Sequence, residues 1–217
     1  MRSITVKGTG RISVKPDLIV VSMTLETKDT EYEKTMETAA EKIELLNKSL
    51  EEIGFEKESV KTTNFNVSTD YESVRDINGG YKRVLKGYVC RHNLKVEFDF
   101  DTKKLAKTLS AISRCLATPE FSVSFTVKDP TALNGELLKS AARNAREKAE
   151  ILCSASGARL GELTNIDYNQ VDINVYSPTG YRLESSRMMK AEALPDIEIE
   201  PDDVTVNDSA SFTWEIL

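Results

Sequence analysis

The chain has 217 residues and a mass of 24.2 kDa, which at roughly 150 residues per domain predicts one or two domains. Apolar residues make up 40% and charged residues 29%, enough for a core beneath a heavily ionised surface. Basic residues number 29 against 35 acidic, a net charge of −6 with a pI of 5.1. That balance argues against a general nucleic-acid or anionic-membrane binder, because either needs a broad basic face.

No run approaches the ~20 consecutive apolar residues of a membrane span; the longest is Leu18 to Val21. The opening Met1-Arg2-Ser3-Ile4-Thr5-Val6 has no apolar leader core and enters a strand-like pattern at once. The chain is therefore expected in the cytoplasm, or in the periplasm or at the surface if a leader has been trimmed from it. Cys90, Cys115 and Cys153 are odd in number and form no CxxC, so free thiols are expected.

Residues 3–14 predict a strand pair broken by Gly8-Thr9-Gly10, and 17–27 alternate as a half-buried strand. Thr30 and Glu33 fit a capping box at the start of a long helix. Its stripe is Tyr32, Met36, Ala39, Ile43, Leu46, Leu50 and Ile53, and Gly54 is placed to end it. Residues 60–71 predict a strand with Phe65, Val67 and Tyr71 on one side. Asn78-Gly79-Gly80 marks a turn, and 82–100 form a long strand of strict period two. Asp101 caps a second helix with Leu105, Leu109, Ile112 and Leu116 as its stripe, stopped at Thr118-Pro119. Phe121, Val123, Phe125 and Val127 alternate as another strand.

From 17 to 127 the element order is thus β-α-β-β-α-β, that of a ferredoxin-like plait. Its sheet would leave one face to meet solvent, another domain or a partner. Asp129 and Pro130 begin a third helix, with a seam of Leu133, Leu137, Ala141, Ala145, Ala149 and Leu152, running to Gly157. Residues 163–175 predict a strand with a bulge, 177–195 a long loop, and 203–217 a closing strand. The expected fold class is α+β: a plait over 17–127, inserted in a second small α+β module built from 1–16 and 128–217.

Candidate chemistry is sparse. His92 is the single histidine; on an apolar strand face it reads as a half-buried, hydrogen-bonded side chain ahead of a general base. Cys90 and His92 share that face, but a structural zinc site needs four ligands, and Cys115 and Cys153 lie far along the chain. Gly8-Thr9-Gly10 precedes a strand rather than a helix and lacks the GK[ST] of a phosphate loop, so a bulge or bend is expected. No GxSxG elbow occurs. Asp202-Asp203 with Glu198 and Glu200 reads as a solvated acidic turn, and Arg143, Arg146, Lys148 and Arg159 as a charged helix face. No catalytic residue, metal ligand or cofactor is assigned. Tyr176, Tyr181, Met188 and Met189 form a candidate interaction loop, since methionine and aromatic side chains suit contact surfaces.

Several segments resemble the SIMPL-domain family in order and spacing. They are Ile4-Thr5-Val6-Lys7-Gly8-Thr9-Gly10 with Val14-Lys15-Pro16-Asp17; Val60-Lys61-Thr62 and Gly87-Tyr88; the helix from Ala141 to Glu150; Gly157 to Leu163; and Ile199 to Val206 with the closing strand. The resemblance covers essentially the whole chain. It implies kinship with bacterial periplasmic or surface antigens, proteins linked to oxidative-stress defence, and a mammalian adaptor of interleukin-1 and NF-κB signalling. It implies no agreed catalytic residues, metal or cofactor. The expectation is a non-enzymatic module that binds another protein or itself, with no nucleic acid and no membrane span. The alternatives are a small-ligand protein or enzyme with a site between the two modules, and a stress-protective protein acting through its thiols.

Overall fold

The computed structural model describes residues 2–75, 80–169, 173–183 and 199–217. The fold is α+β, with three helices and eight strands among the described residues. They form a three-stranded sheet of order β1 (Ser3–Val14), β8 (Val204–Ile216), β6 (Leu160–Asp167) and a five-stranded sheet of order β3 (Lys61–Arg75), β4 (Tyr81–Asp99), β2 (Leu18–Asp29), β5 (Glu120–Thr126), β7 (Tyr176–Leu183). Two compact units result: Met1–Asp17, Phe125–Thr179 and Pro201–Leu217 in one, Leu18–Ser124 and Gly180–Glu200 in the other. None of the described helices is long and apolar enough to cross a membrane.

In the first unit, β1 (Ser3–Val14) pairs antiparallel with β8 (Val204–Ile216) along its whole length, and β8 pairs antiparallel with β6 (Leu160–Asp167). The expected break at Gly8-Thr9-Gly10 is absent. β1 is continuous, and its register passes from Gly8↔Ala210 to Gly10↔Asp208 without a shift. The glycines serve packing instead. Helix α3 (Pro130–Ala155) crosses this sheet. A Cβ on Gly8 would collide with the Ala141 carbonyl oxygen, and one on Gly10 with that of Leu137. The seam Leu137, Ala141, Ala145 and Ala149 is fully buried, so small residues on both elements set a short helix-to-sheet distance. Cys153 continues the seam, and Leu152 turns outward.

Asp129 caps α3 by accepting from the Thr131 and Ala132 amides at 2.9 and 3.3 Å, with Pro130 in the first turn. Val6, Ala210, Phe212 and Trp214 complete one core cluster, and Val204 and Val206 another. The phase slip expected near 163 is real: the β6 register shifts on both sides of Leu163. However, β6 starts at Leu160 and ends at Asp167, and 173–175 are not strand.

In the second unit the elements follow the expected order. β2 is Leu18–Asp29, α1 Tyr32–Glu51, β3 Lys61–Arg75, β4 Tyr81–Asp99, α2 Thr102–Arg114 and β5 Glu120–Thr126. β4 lies between β3 and β2 and is antiparallel to both. α1 rests on β2 and β4 and against α2. Ile19, Val21, Met23 and Leu25 of β2 align with Phe98, Val96, Leu94 and His92 of β4, and the apolar members of that set are buried.

The capping box expected at Thr30 and Glu33 does not form. Helix α1 starts at Tyr32, its flanking Glu31 makes no side-chain cap, and the Asp29 carboxylate takes the Glu31 amide at 3.0 Å instead. Asp101 does cap α2, accepting from Lys103 and Lys104 amides at 2.9 and 3.0 Å. α2 ends at Arg114, before the expected stop, which leaves Leu116 outside its stripe and exposed. The expected loop from 177 is also corrected. Residues Tyr176–Leu183 form β7, the terminal strand beyond β5 in the five-stranded sheet.

Candidate interaction surface

The face of β2 and β4 away from the main apolar set is polar and internally paired. Thr24 donates to Asn93 at 3.1 Å, Arg91 Nε to Glu26 at 2.7 Å, and Lys95 meets Glu97 at 2.7 Å. The Lys28 ammonium, and after it the Arg91 guanidinium, hold the Glu26 carboxyl below its ordinary range. These ion pairs are solvent-exposed, so each contributes only about 0–1 kcal/mol.

The β3–β4 hairpin is different. β3 is exposed along nearly all its length, and β4 is exposed from Tyr81 to Lys86. Past the register shift at Asp70/Tyr71, the two strands form an arm. Tyr71, Val74, Val84 and Leu85 are between 45% and 48% exposed there, and Tyr81 is 77% exposed. These open side chains are grouped on one short ribbon, Tyr71, Tyr81 and Leu85 on one face and Val74 and Val84 on the other. Tyr71 pairs with Leu85, and the Arg83 guanidinium lies 4.9 Å from the Tyr71 ring centroid.

The β2–β4 ladder ends at Asp29↔Tyr88, beside the start of the arm. Gly87 has φ +154, and a Cβ there would strike the Asp29 backbone carbonyl. Only glycine fits this position, so Gly87 fixes where the arm leaves the sheet. A cleft of about 240 Å³ opens beside it, lined by Lys28, Asp29, Thr30, Asp70, Lys86, Gly87 and Tyr88.

The residues singled out in the sequence distribute as follows. Tyr176 is exposed at the start of β7, and Tyr181 lies within β7 with its ring 6.1 Å from that of Phe121. They are strand residues, not loop residues. Met188 and Met189 lie outside the described residues, as does Glu198. His92 is half-buried, with its Nε2 2.8 Å from the Thr62 hydroxyl and its ring edge-on to Phe65 at 5.0 Å. Burial lowers its pKa, since the imidazolium loses water there. Cys90, Cys115 and Cys153 are free and buried, and burial pushes the Cys90 thiol up. Among the described residues, no three His, Cys, Asp or Glu side chains are grouped to hold a metal ion. Asp203 accepts from the Ser13 hydroxyl at 3.2 Å, and Arg146 pairs with Glu150 at 3.0 Å.

Of the arm residues, the sequence named only Tyr71, as an apolar strand position; Val74, Tyr81, Val84 and Leu85 were not singled out. Their signal was nonetheless there: between Tyr71 and Leu85 the flanking strands lose the alternation that marks a buried face, while keeping large apolar residues.

The sequence pattern of the SIMPL family, described as a protein of unknown function (DUF541), matches residues 4–214. No curated protein matches the chain.

Proposed function

The chain belongs to the SIMPL family, and from that premise we propose that it works as a non-enzymatic protein-binding or self-assembling module, with the β3–β4 arm as a contact surface. One observation carries this reading: five large apolar side chains stand open to water on a two-stranded ribbon. Leaving them exposed forgoes roughly 25 cal/mol for each Å² of apolar surface that a partner would cover. Arg83 lies over the Tyr71 ring on the same face as Tyr81 and Leu85, and tyrosine and arginine are side chains enriched where binding energy concentrates. A part in stress defence, implied by the resemblance alone, would run through such contacts rather than through the buried thiols.

The test pairs light scattering on a sizing column with affinity capture from native lysate. Wild-type chain is expected above 24.2 kDa, rising with concentration, or carrying captured protein. The triple variant Tyr71→Ser, Tyr81→Ser, Leu85→Ser is expected to lower the mass or strip the captured protein, with an unchanged circular dichroism spectrum. Wild type and variant alike in both measurements would overturn the reading.

A further inference from the structure

We infer that two copies of this chain join through β3, edge to edge and antiparallel, about a two-fold axis at Asn66. This rests on the binding-module reading and names the partner as a second copy. β3 is the terminal strand of its sheet, so its outer edge has no ladder partner among the described residues. Such an edge is a template for another strand, which proteins commonly block with charges or proline. Here residues 62–69, Thr-Thr-Asn-Phe-Asn-Val-Ser-Thr, carry neither. Their ladder to β4 runs unshifted from Asn64↔Asn93 to Asp70↔Gly87. One cation, Lys61, and one anion, Asp70, bracket the segment, and neither has an ion pair among the described residues.

The register follows from symmetry. A two-fold axis perpendicular to a sheet keeps each residue on its own face, so same-face residues must meet. Pairing with β4 places Lys61, Asn64, Asn66, Ser68 and Asp70 on one face, opposite Lys95, Asn93, Arg91, Val89 and Gly87. Thr62, Phe65, Val67 and Thr69 share the other, opposite Leu94, His92, Cys90 and Tyr88. Thr63 is the extra residue at the Thr62/Asn64 shift. With the axis at Asn66, Phe65 meets Val67 of the second copy and Asn64 meets Ser68. Because each copy skips Thr63, Thr62 then meets Thr69 and Lys61 meets Asp70. Each end of the seam closes on an opposite-charge pair, and each half contains an apolar pair. The neighbouring register, with its axis at Val67, sets Lys61 against Glu72 but leaves Phe65 facing Thr69.

Sedimentation equilibrium at low salt tests the seam with four variants, each checked by circular dichroism. Lys61→Glu and Asp70→Lys, made singly, put like charges together twice per dimer and are expected to raise the dimer dissociation constant about tenfold. The double variant Lys61→Glu/Asp70→Lys restores opposite charges and is expected to return to within about twofold of wild type. Glu72→Lys is expected to leave it unchanged. A chain that is monomeric at every concentration overturns the seam, and the capture assay on the arm variants then decides the binding reading separately. A dimer indifferent to all the single reversals overturns the seam and leaves assembly standing. Weakening by Glu72→Lys in place of Asp70→Lys overturns the register centred on Asn66.

Discussion

His92 shows how one half-buried side chain couples this fold to pH. Its neutral ring sits 2.8 Å from the Thr62 hydroxyl and edge-on to Phe65, and desolvation lowers its pKa in the folded state. The unfolded chain therefore takes up this proton more readily. By linkage, the contribution to stability is complete above the ordinary histidine value of ~6.5 and is lost as pH falls through the lower folded value. The urea midpoint of the wild type is expected to drop between pH 7.5 and pH 5.5, and His92→Gln to flatten that drop. Glu26 and Asp29, whose carboxyls are held below their ordinary range, act in a more acidic window and do not confuse the comparison. Equal pH dependence in wild type and variant would show that His92 carries none of it. The sequence placed His92 correctly on a strand face, because period two survives in β4. It did not show Thr62 as the partner, since the two are 30 positions apart and meet only through the β3–β4 register.

At the scale of elements, the contact of α3 with β1 turns on atoms that are missing. Gly8 and Gly10 let the helix backbone settle on the strand, where a Cβ would meet the Ala141 or Leu137 carbonyl. Gly10→Ala is expected to cost about 1–3 kcal/mol, the usual penalty of overpacking. Gly135, exposed on the same helix with open space around its Cα, should respond oppositely. Gly135→Ala is expected to stabilise by about 0.5–1 kcal/mol through helix propensity and a less flexible unfolded chain. Denaturant unfolding of the two variants checks both signs, and a stable Gly10→Ala would mean that the helix can lift without penalty. The helices themselves were legible from capping and periodicity, as Asp101 and Asp129 confirm. The capping box at Thr30 was not: the Thr30 hydroxyl donates to the Asp29 carboxylate at 3.3 Å, and Asp29 also takes the Glu31 amide, so the turn is organised one residue earlier. Gly8-Thr9-Gly10 looked like a break because glycine weakens a strand taken alone; only the helix above it gives the glycines a purpose.

For the molecule as a whole, the thiols report on folding. Cys90 and Cys115 lie in one compact unit and Cys153 in the other, all three buried. Thiolate is the reactive form, and burial in apolar surroundings suppresses it. In native buffer a thiol reagent is therefore expected to titrate slowly, with all three groups released once denaturant is added. A cysteine that reacts at once in the native protein would contradict the burial and reopen thiol chemistry as a function.

Composition, capping residues and hydrophobic period determined the helices, most strands and their order, because these signals act within about a dozen neighbouring residues. The pattern of local segments along the chain also carried the family resemblance. Tertiary structure alone decided three other matters: that β1 is unbroken, that 176–183 form an edge strand, and that the β3–β4 arm stands open. Each depends on which surface lies opposite a residue, and the local sequence of a strand does not record whether that surface is a helix, another strand or water.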